Sequence, residues 1–481
     1  MSVSACGWRQ PPWLPETGPA WTKAARCIWP CDWYWDMTGD GACRARDRKR
    51  VQPKNYRDES YAARLLANNA RVFAQACASG HNSRFRSGFS LRHVMIKQTS
   101  MFKFLRHALA ASLVLCAASA HGETIKLGTI LSTTGPAAFL GEDMKDGMRI
   151  AIDEINAGGG INGKQIDWVF YDAESQTAKA LAATRRLLSQ DKVDILVGGG
   201  NMSGIAQAMV PLAQQARTPF ISTEGAATIA SPAKEREWVF KSTVDDSQVF
   251  ARLADYFKKN GITRITLLHD TSGFGQAAAD ALRAFAPGQN LQVNYEAFAP
   301  SDTDLTPQLT RIRASDTQAI VCWTVTPAGV IFMRQAKQLG LGDRKLIHSY
   351  GFVSQRYMEL AGADADDVLL VSVKFPVGAD LPDDDPLKAR IAALTEKFQA
   401  KFKRAPNQFV AQTYDAVWLA AGALAKGPEK DRVRAALEGT RQYEGVGGVF
   451  NFSPDSHSGL AKSDIVLINW KDGRFRLADY R

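Results

Sequence analysis

The chain has 481 residues, enough for two or three domains, and its 45% hydrophobic and 22% charged residues are the mix of an ordinary globular protein. Its formal net charge of +10 is unevenly placed: residues 1–100 hold 16 Lys+Arg against 7 Asp+Glu, residues 101–122 add Lys103 and Arg106, and residues 123–481 carry 41 basic and 42 acidic side chains. A body this close to neutral argues against nucleic acid or an anionic membrane surface as its partner.

The first hundred residues differ from the rest in kind. They hold six of the eleven tryptophans and five of the seven cysteines, Cys6, Cys27, Cys31, Cys43 and Cys77. "CIWPC" has three residues between its cysteines rather than the two of a redox motif. "RARDRKR", Arg44 to Arg50, would suit a basic nucleic-acid arm, but no sustained helical or strand period accompanies it beyond a short patch at 61–78. We expect residues 1–100 to be a disordered, non-native leader from a misassigned start.

Met101 then opens "MFKFLRHALAASLVLCAASAHGE", which reads as a signal peptide over 101–122. Lys103 and Arg106 form its positive end, Ala108 to Ala118 its apolar core, and Ala118-Ser119-Ala120 its cleavage site. The core is too short for a membrane-spanning helix, and Met95 would serve as a start almost as well. Bulky Leu115 before Cys116 makes a poor lipoprotein signal. Only Cys322 lies beyond this point, so the body has no internal disulfide and no cysteine-based zinc site.

From Thr124 onward, short apolar runs alternate with amphipathic stretches. "TIKLGTIL" reads as a strand, and Met144, Gly147, Met148, Ala151 and Ile155 fall on one face of the helix after it. "GGGINGK" turns the chain into the strand "QIDWVFYD". The spacing predicts a helix over 176–190, the buried strand "VDILVGG", a helix over 205–216 and the strand "TPFIS". A first sheet should end near "WVFKSTVDDSQ", whose Asp/Ser cluster can cap the next helix. The pattern resumes with "RITLLHD", "QAIVCWT", "KLIHSYG" and "DVLLVSV", each followed by a helical segment. The end of the chain reads as short strands and turns. This alternation predicts an α/β fold with parallel sheets covered on both faces, and its length predicts two lobes.

"GGGINGKQ" matches the phosphate-loop spacing G-x4-G-K, but Gln165 stands where Ser or Thr should hold magnesium. It also leads from helix to strand, the reverse of a phosphate loop, so it reads as a turn. After cleavage the body keeps His269, His348 and His457, none paired at metal-ligand spacing, and no G-x-S-x-G elbow is present. No cofactor, metal or catalytic residue is expected. The loops "GGGNMSG" and "STEGAAT", by contrast, follow predicted strands and precede helical segments. Ser203, Ser222, Thr223 and Thr228 there, with backbone N–H groups at helix starts, suit a carboxylate.

The stretch "IKLGTILSTTGPAAFLGEDMKDGMRIAIDEINAGGGINGKQIDWVFYDAESQTAKALAATRRLL" resembles the opening of the leucine/isoleucine/valine-binding family, the type I periplasmic solute-binding proteins of ABC importers. "VDDSQ", "SGFG", "SDTDLTPQLTRIRASDTQAIV" and "MRQAKQLGL" extend the likeness over nearly all of 123–481. The resemblance implies two Rossmann-like lobes joined by three crossover strands, with crossings near 243, 373 and 448. Lobe I would comprise 123–243 plus 374–447, and lobe II 244–373 plus 448–481.

It further implies a periplasmic monomer that delivers a small carboxylate, either a branched-chain-type amino acid or an aromatic or aliphatic acid, to the membrane permease subunits of an importer. It implies no nucleic-acid partner and no chemistry. Carried over by position, it places Met202 and Ser203 of "NMSG", and Ala226 and Thr228 of "STEGAAT", at the ligand. It sets Asp245 toward an amino group, Phe274 as an aromatic cover, and Val325 and Thr326 where amino-acid binders use a Tyr. Tyr350 stands where they carry a Glu for the ammonium. With Phe274 and Phe139 or Leu140 it would form an apolar slot for an acid with no amino group, and "DLPDDDP", Asp380 to Pro386, points the same way. A ligand-sensing transcription regulator shares this two-lobe core. A helix-turn-helix before residue 123 would support that reading, and a cleavable signal opposes it.

Overall fold

The computed structural model describes residues 35–37, 43–45, 123–366 and 368–480. It divides into two units, residues 1–120 and 121–481. In the first, β1 (Trp35–Met37) and β2 (Cys43–Ala45) pair antiparallel. The readings of a leader over 1–100 and a signal over 101–122 otherwise lie outside the described residues.

The second unit is built on two sheets. In the first sheet β3 (Ile125–Leu131), β4 (Ile166–Asp172), β5 (Ile195–Val197), β6 (Phe220–Ser222) and β7 (Val239–Lys241) lie in the order β4-β3-β5-β6-β7, all parallel. The second sheet contains β8 (Arg264–Asp270), β9 (Gln292–Phe298), β10 (Ala319–Trp323), β11 (Lys345–His348) and β12 (Leu369–Val373), parallel in the order β9-β8-β10-β11-β12. Each sheet is thus wound outward in both directions from its first strand. That reversal opens a crevice beyond the carboxyl ends of the strands.

The strands are continuous apolar runs because helices cover both faces; every residue of β10 and β12 is buried. Strand β9, "QVNYEAF", is absent from the strands expected above. It lies at the sheet edge with Gln292, Asn294 and Ala297 exposed, which breaks up the apolar signal. A small hairpin follows, β13 (Tyr443–Glu444) with β14 (Val449–Phe450). Then β15 (Ile465–Lys471) and β16 (Arg474–Asp479) join β12 antiparallel, so the second sheet is mixed rather than purely parallel. Asp472 and Gly473 connect them, both at positive φ (52° and 71°), the backbone that two-residue hairpin turns require.

Helix α1 (Ala138–Ala157) buries Leu140, Met144, Met148, Ala151 and Ile155 on one stripe. Its partner is the helix Gln408–Leu424, which is buried on almost every face. The two approach closely at Gly147, where a Cβ would lie 2.5 Å from the Val410 carbonyl oxygen and from Thr413 Oγ1. Helix α2 (Thr177–Arg186) is shorter than the predicted 176–190, because Leu187–Asp191 widens into a π turn that Lys192 ends at φ 55°. Helix α3 (Ser203–Gln215) follows β5, α4 (Asp246–Lys259) follows β7, and α5 (Gly273–Phe285) follows β8. The chain leaves the first sheet between Lys241 and Arg264, returns from Val373 to the helix packed on α1, and re-enters the second sheet at Ile465.

Candidate functional site

The glycines after β5 decide the geometry of the first loop. Gly198, Gly200 and Asn201 sit at φ 94°, 73° and 68°. This backbone turns the N–H groups of Gly199 and Asn201 into one anion-binding concavity, while that of Gly200 between them bonds to the Ile130 carbonyl. The group it holds is a side chain of the protein. Glu224 Oε1 accepts from the backbone N–H of Gly199 at 2.9 Å and of Asn201 at 3.0 Å. Its Oε2 accepts from Ser222 Oγ at 2.6 Å and the Thr223 N–H at 3.0 Å, and Thr223 Oγ1 donates to Oε1 at 3.2 Å.

Glu224 is buried, and burial raises its carboxyl above the ordinary range while the Ser222, Asn201, Gly199 and Thr223 donors offset part of that rise. A second tie joins the loops, from the Ala226 N–H to Ser203 Oγ at 3.1 Å. Asn201 holds the loop after β3 by donating from Nδ2 to the carbonyls of Ser132 (2.7 Å) and Ala137 (3.2 Å).

Phe274 at the start of α5 and Tyr350 beyond β11 form the facing wall, with Trp323 at the end of β10 packed against both. Phe274, Trp323 and Tyr350 are buried, and their rings meet edge-on or tilted at 5.4–5.7 Å. The Tyr350 hydroxyl donates to Asp246 Oδ1 at 2.9 Å, and the Ala227 N–H donates to Asp246 Oδ2 at 3.0 Å. Burial pushes the Asp246 carboxyl up to about 6, against the attraction of Lys241. Lys241 itself donates to the Gly225 carbonyl at 2.5 Å.

Between these walls lies a cavity with Leu140, Met144, Phe274, Val325 and Phe409 on its apolar side. Asn201, Ser203, Thr223, Glu224, Tyr350 and Gln412 supply polar atoms, and the described residues of the wall include no lysine or arginine.

Of the residues expected at a ligand, Ser203, Thr223, Phe274 and Tyr350 line this cavity, and Ser222 is held by Glu224. Met202, half-buried, precedes α3, and Ala226 is buried behind its hydrogen bond to Ser203. Thr228 accepts from Gln207 Nε2 at 2.6 Å on an exposed side. Asp245 caps α4, accepting from the Ser247 N–H (3.0 Å) and hydroxyl (2.7 Å). Burial raises its carboxyl, but Lys241, Ser247 and Ser458 outweigh that and hold it below the ordinary value. The neighbouring Asp246 turns inward instead. Thr326 bonds to Thr324 through its backbone N–H at 3.0 Å, and Val325 beside it reaches the cavity. Of Phe139 and Leu140, Leu140 is on the wall.

Sequence reading missed Glu224, Asp246, Phe409 and Gln412. Asp246 had a usable signal: in Asp-Asp-Ser at a helix start, the Asp two residues before the Ser is the cap, which leaves the second free to turn in. Phe409 and Gln412 had none, because they arrive from a helix some two hundred residues along the chain.

The three body histidines are tied to backbone carbonyls. His269 Nδ1 lies 3.0 Å from Asp270 O, His348 Nε2 lies 3.1 Å from Gly329 O, and His457 Nδ1 lies 2.9 Å from Val239 O. Cys322 is buried and has no disulfide partner among the described residues. Among the described residues, no group of His, Cys, Asp and Glu is placed to hold a metal ion. "GGGINGKQ" forms the turn between α1 and β4. The cavity can enclose a small polar-apolar solute.

The profile of the family described as "Periplasmic binding protein" matches residues 124–474. The Leu/Ile/Val-binding protein homolog 3 of Brucella melitensis is 24% identical over 386 residues, covering 77% of this chain and 98% of its own. The leucine-, isoleucine-, valine-, threonine- and alanine-binding protein of Pseudomonas aeruginosa is 26% identical over 362 residues, covering 72% and 90%. Among solved structures, an extracellular ligand-binding receptor of Rhodopseudomonas palustris superposes with a TM-score of 0.68 at 25% identity, covering 74% of this chain and all of that one. The substrate-binding protein of a branched-chain amino acid transporter from Streptococcus pneumoniae, solved with isoleucine, gives 0.63 at 28% identity and the same coverage.

Proposed function

This chain belongs to the periplasmic binding protein family, and from that premise we propose that it captures a small carboxylate solute between its two lobes and delivers it to an ABC importer. The observation that carries the reading is the cavity at the carboxyl ends of both sheets, walled by Ser203 and the Thr223–Gly225 loop on one side and Phe274, Tyr350 and Val325 on the other. The protein binds and does not catalyse; binding free energy favours the closed arrangement over the open one. The lobes comprise 123–243 plus 374–447 and 244–373 plus 448–481, and the working form is a monomer docking on permease subunits.

Two ligand classes compete. The Pseudomonas aeruginosa relative is named for binding leucine, isoleucine, valine, threonine and alanine, and the Streptococcus pneumoniae protein was solved with isoleucine. An ammonium needs a free acidic partner, because an unpaired buried charge is costly. Asp246 stands behind the Tyr350 hydroxyl rather than on the cavity wall, and both Glu224 oxygens are engaged by donors of the protein. This pairing supports a deaminated aromatic or aliphatic acid, with the branched-chain-type amino acid as the alternative.

Calorimetry with leucine, phenylalanine and 4-hydroxybenzoate-type acids separates the two. We expect micromolar binding of an acid, about −8 kcal/mol, with the compound recovered unchanged and scattering showing compaction. Tight leucine binding that Asp246→Ala abolishes would restore the amino-acid reading, and steady conversion of the bound compound would end the transport reading. We further propose export by the cleavable signal that starts at Met101 or Met95. N-terminal sequencing of the exported protein should then begin at His121 or Glu123, and peptides from residues 1–90 in the periplasm would overturn it.

A further inference from the structure

We propose that Glu224 is a specificity-determining residue: its carboxylate permanently fills the amide concavity between the two cleft loops, so the solute must bind without that concavity. The inference rests on the solute-binding reading of the cavity. The concavity is complete without any solute. Gly199, Asn201 and Thr223 offer backbone N–H groups, Ser222 and Thr223 offer hydroxyls, and all converge on the two oxygens of Glu224 within 2.6–3.2 Å.

The backbone is shaped around this side chain. A Cβ on Gly199 would lie 2.3 Å from Glu224 Oε2, so only glycine leaves it room. The described residues of the wall include no basic side chain that would pair with Glu224. What charge compensation it has comes from oriented donors, as for a bound anion.

Two consequences follow for the ligand. A monocarboxylate in the cavity meets the donors that remain, chiefly the Ser203 hydroxyl. A dicarboxylate has nowhere to place its second anionic group, because the concavity suited to it is taken and carries the same charge. Glu224 therefore excludes dianionic solutes and sets the polarity of the cleft.

The test is chemical rescue. Glu224→Ala leaves buried N–H groups without an acceptor, which is costly, so its Tm should fall by several degrees. Acetate or formate at tens of millimolar should raise the Tm of Glu224→Ala again while leaving the wild type unmoved. Succinate should bind Glu224→Ala at least tenfold more tightly than it binds the wild type, a gain that a merely structural role would not produce. If Glu224→Ala does not fold, Glu224→Gln decides. Its amide keeps an acceptor for Gly199 and Asn201 but turns a donor toward Thr223, and it removes the charge while still filling the concavity, so a lowered Tm with a smaller but measurable succinate gain supports the assignment.

An unchanged Tm, equal acetate effects on variant and wild type, or no gain for succinate in the variant that folds would overturn it. Rescue without any ligand in the acid and amino-acid panel would show that Glu224 fills the concavity but sink the solute reading, and with it the role in specificity. A panel ligand without rescue or succinate gain would do the reverse.

Discussion

Replacing Gly225 with leucine is expected to weaken solute binding by at least a hundredfold while leaving both sheets folded. Gly225 lies in the loop after β6, and a Cβ there would come 2.5 Å from the Tyr350 hydroxyl and 2.6 Å from the Phe274 ring. Those two rings lie just beyond strands β8 and β11 of the second sheet, so the added side chain collides across the cleft rather than within either core. Its φ is not in the left-handed region, so the backbone itself tolerates a side chain. The lobes can relieve the collision by staying apart, which preserves stability at the expense of closure. A hundredfold loss corresponds to about 2.7 kcal/mol. Titration calorimetry should show the loss, scattering should show the variant open with and without ligand, and Gly225→Ala should fall between. Wild-type affinity in Gly225→Leu would mean that this cavity is not where the solute is held.

Acid stability should hinge on His348. Its ring is buried at the end of β11, stacked 4.1 Å from Phe352 and edge-on to Phe332, with Nε2 against the Gly329 carbonyl and no partner on Nδ1 among the described residues. Burial disfavours the imidazolium there and lowers its pKa from 6.5 to about 3. The folded value lies below the unfolded one, so the folded state binds fewer protons in between. The stability this group contributes is full above pH 6.5 and is lost as the pH falls toward 3. At 1.36 kcal/mol per pH unit the loss reaches roughly 5 kcal/mol at its upper end.

His348→Phe keeps a flat ring against Phe352 but leaves the Gly329 carbonyl without its donor. It should be about 1–3 kcal/mol less stable at neutral pH and should overtake the wild type in acid. Denaturant unfolding at pH 7, 5.5 and 4 gives the comparison. Parallel curves for the two proteins would show that this histidine does not govern acid sensitivity.

Much of the architecture was legible in the sequence because parallel strands buried on both faces are written as unbroken apolar runs, such as "AIVCW" and "LLVSV". What escaped was diluted or distant. The edge strand Gln292–Phe298 alternates with exposed polar residues and loses that signature. The antiparallel hairpin Ile465–Asp479 was written in the Asp472-Gly473 turn, yet nothing local says which sheet it joins. In the site, "NMSG", "STEGAAT" and "SGFG" marked loops that do face one cavity, since glycine-rich turns after buried strands must lie at the carboxyl end of a sheet.

The sequence by itself determined the alternation of elements, the near-neutral body, the lack of any disulfide or cysteine-based zinc site within that body, and the kinds of residue the cleft loops carry. Only the tertiary structure decided which atoms those loops serve. Asp245 and Asp246 are adjacent and chemically identical, but at a helix start successive side chains diverge, so one caps the helix and the other turns under Tyr350. Glu224 was one acid among small residues until folding brought the Gly199 and Asn201 amides, more than twenty residues earlier, onto its oxygens. Local composition sets what a segment can form. The partner of a buried charge is set by which loops the two sheets bring within hydrogen-bonding reach.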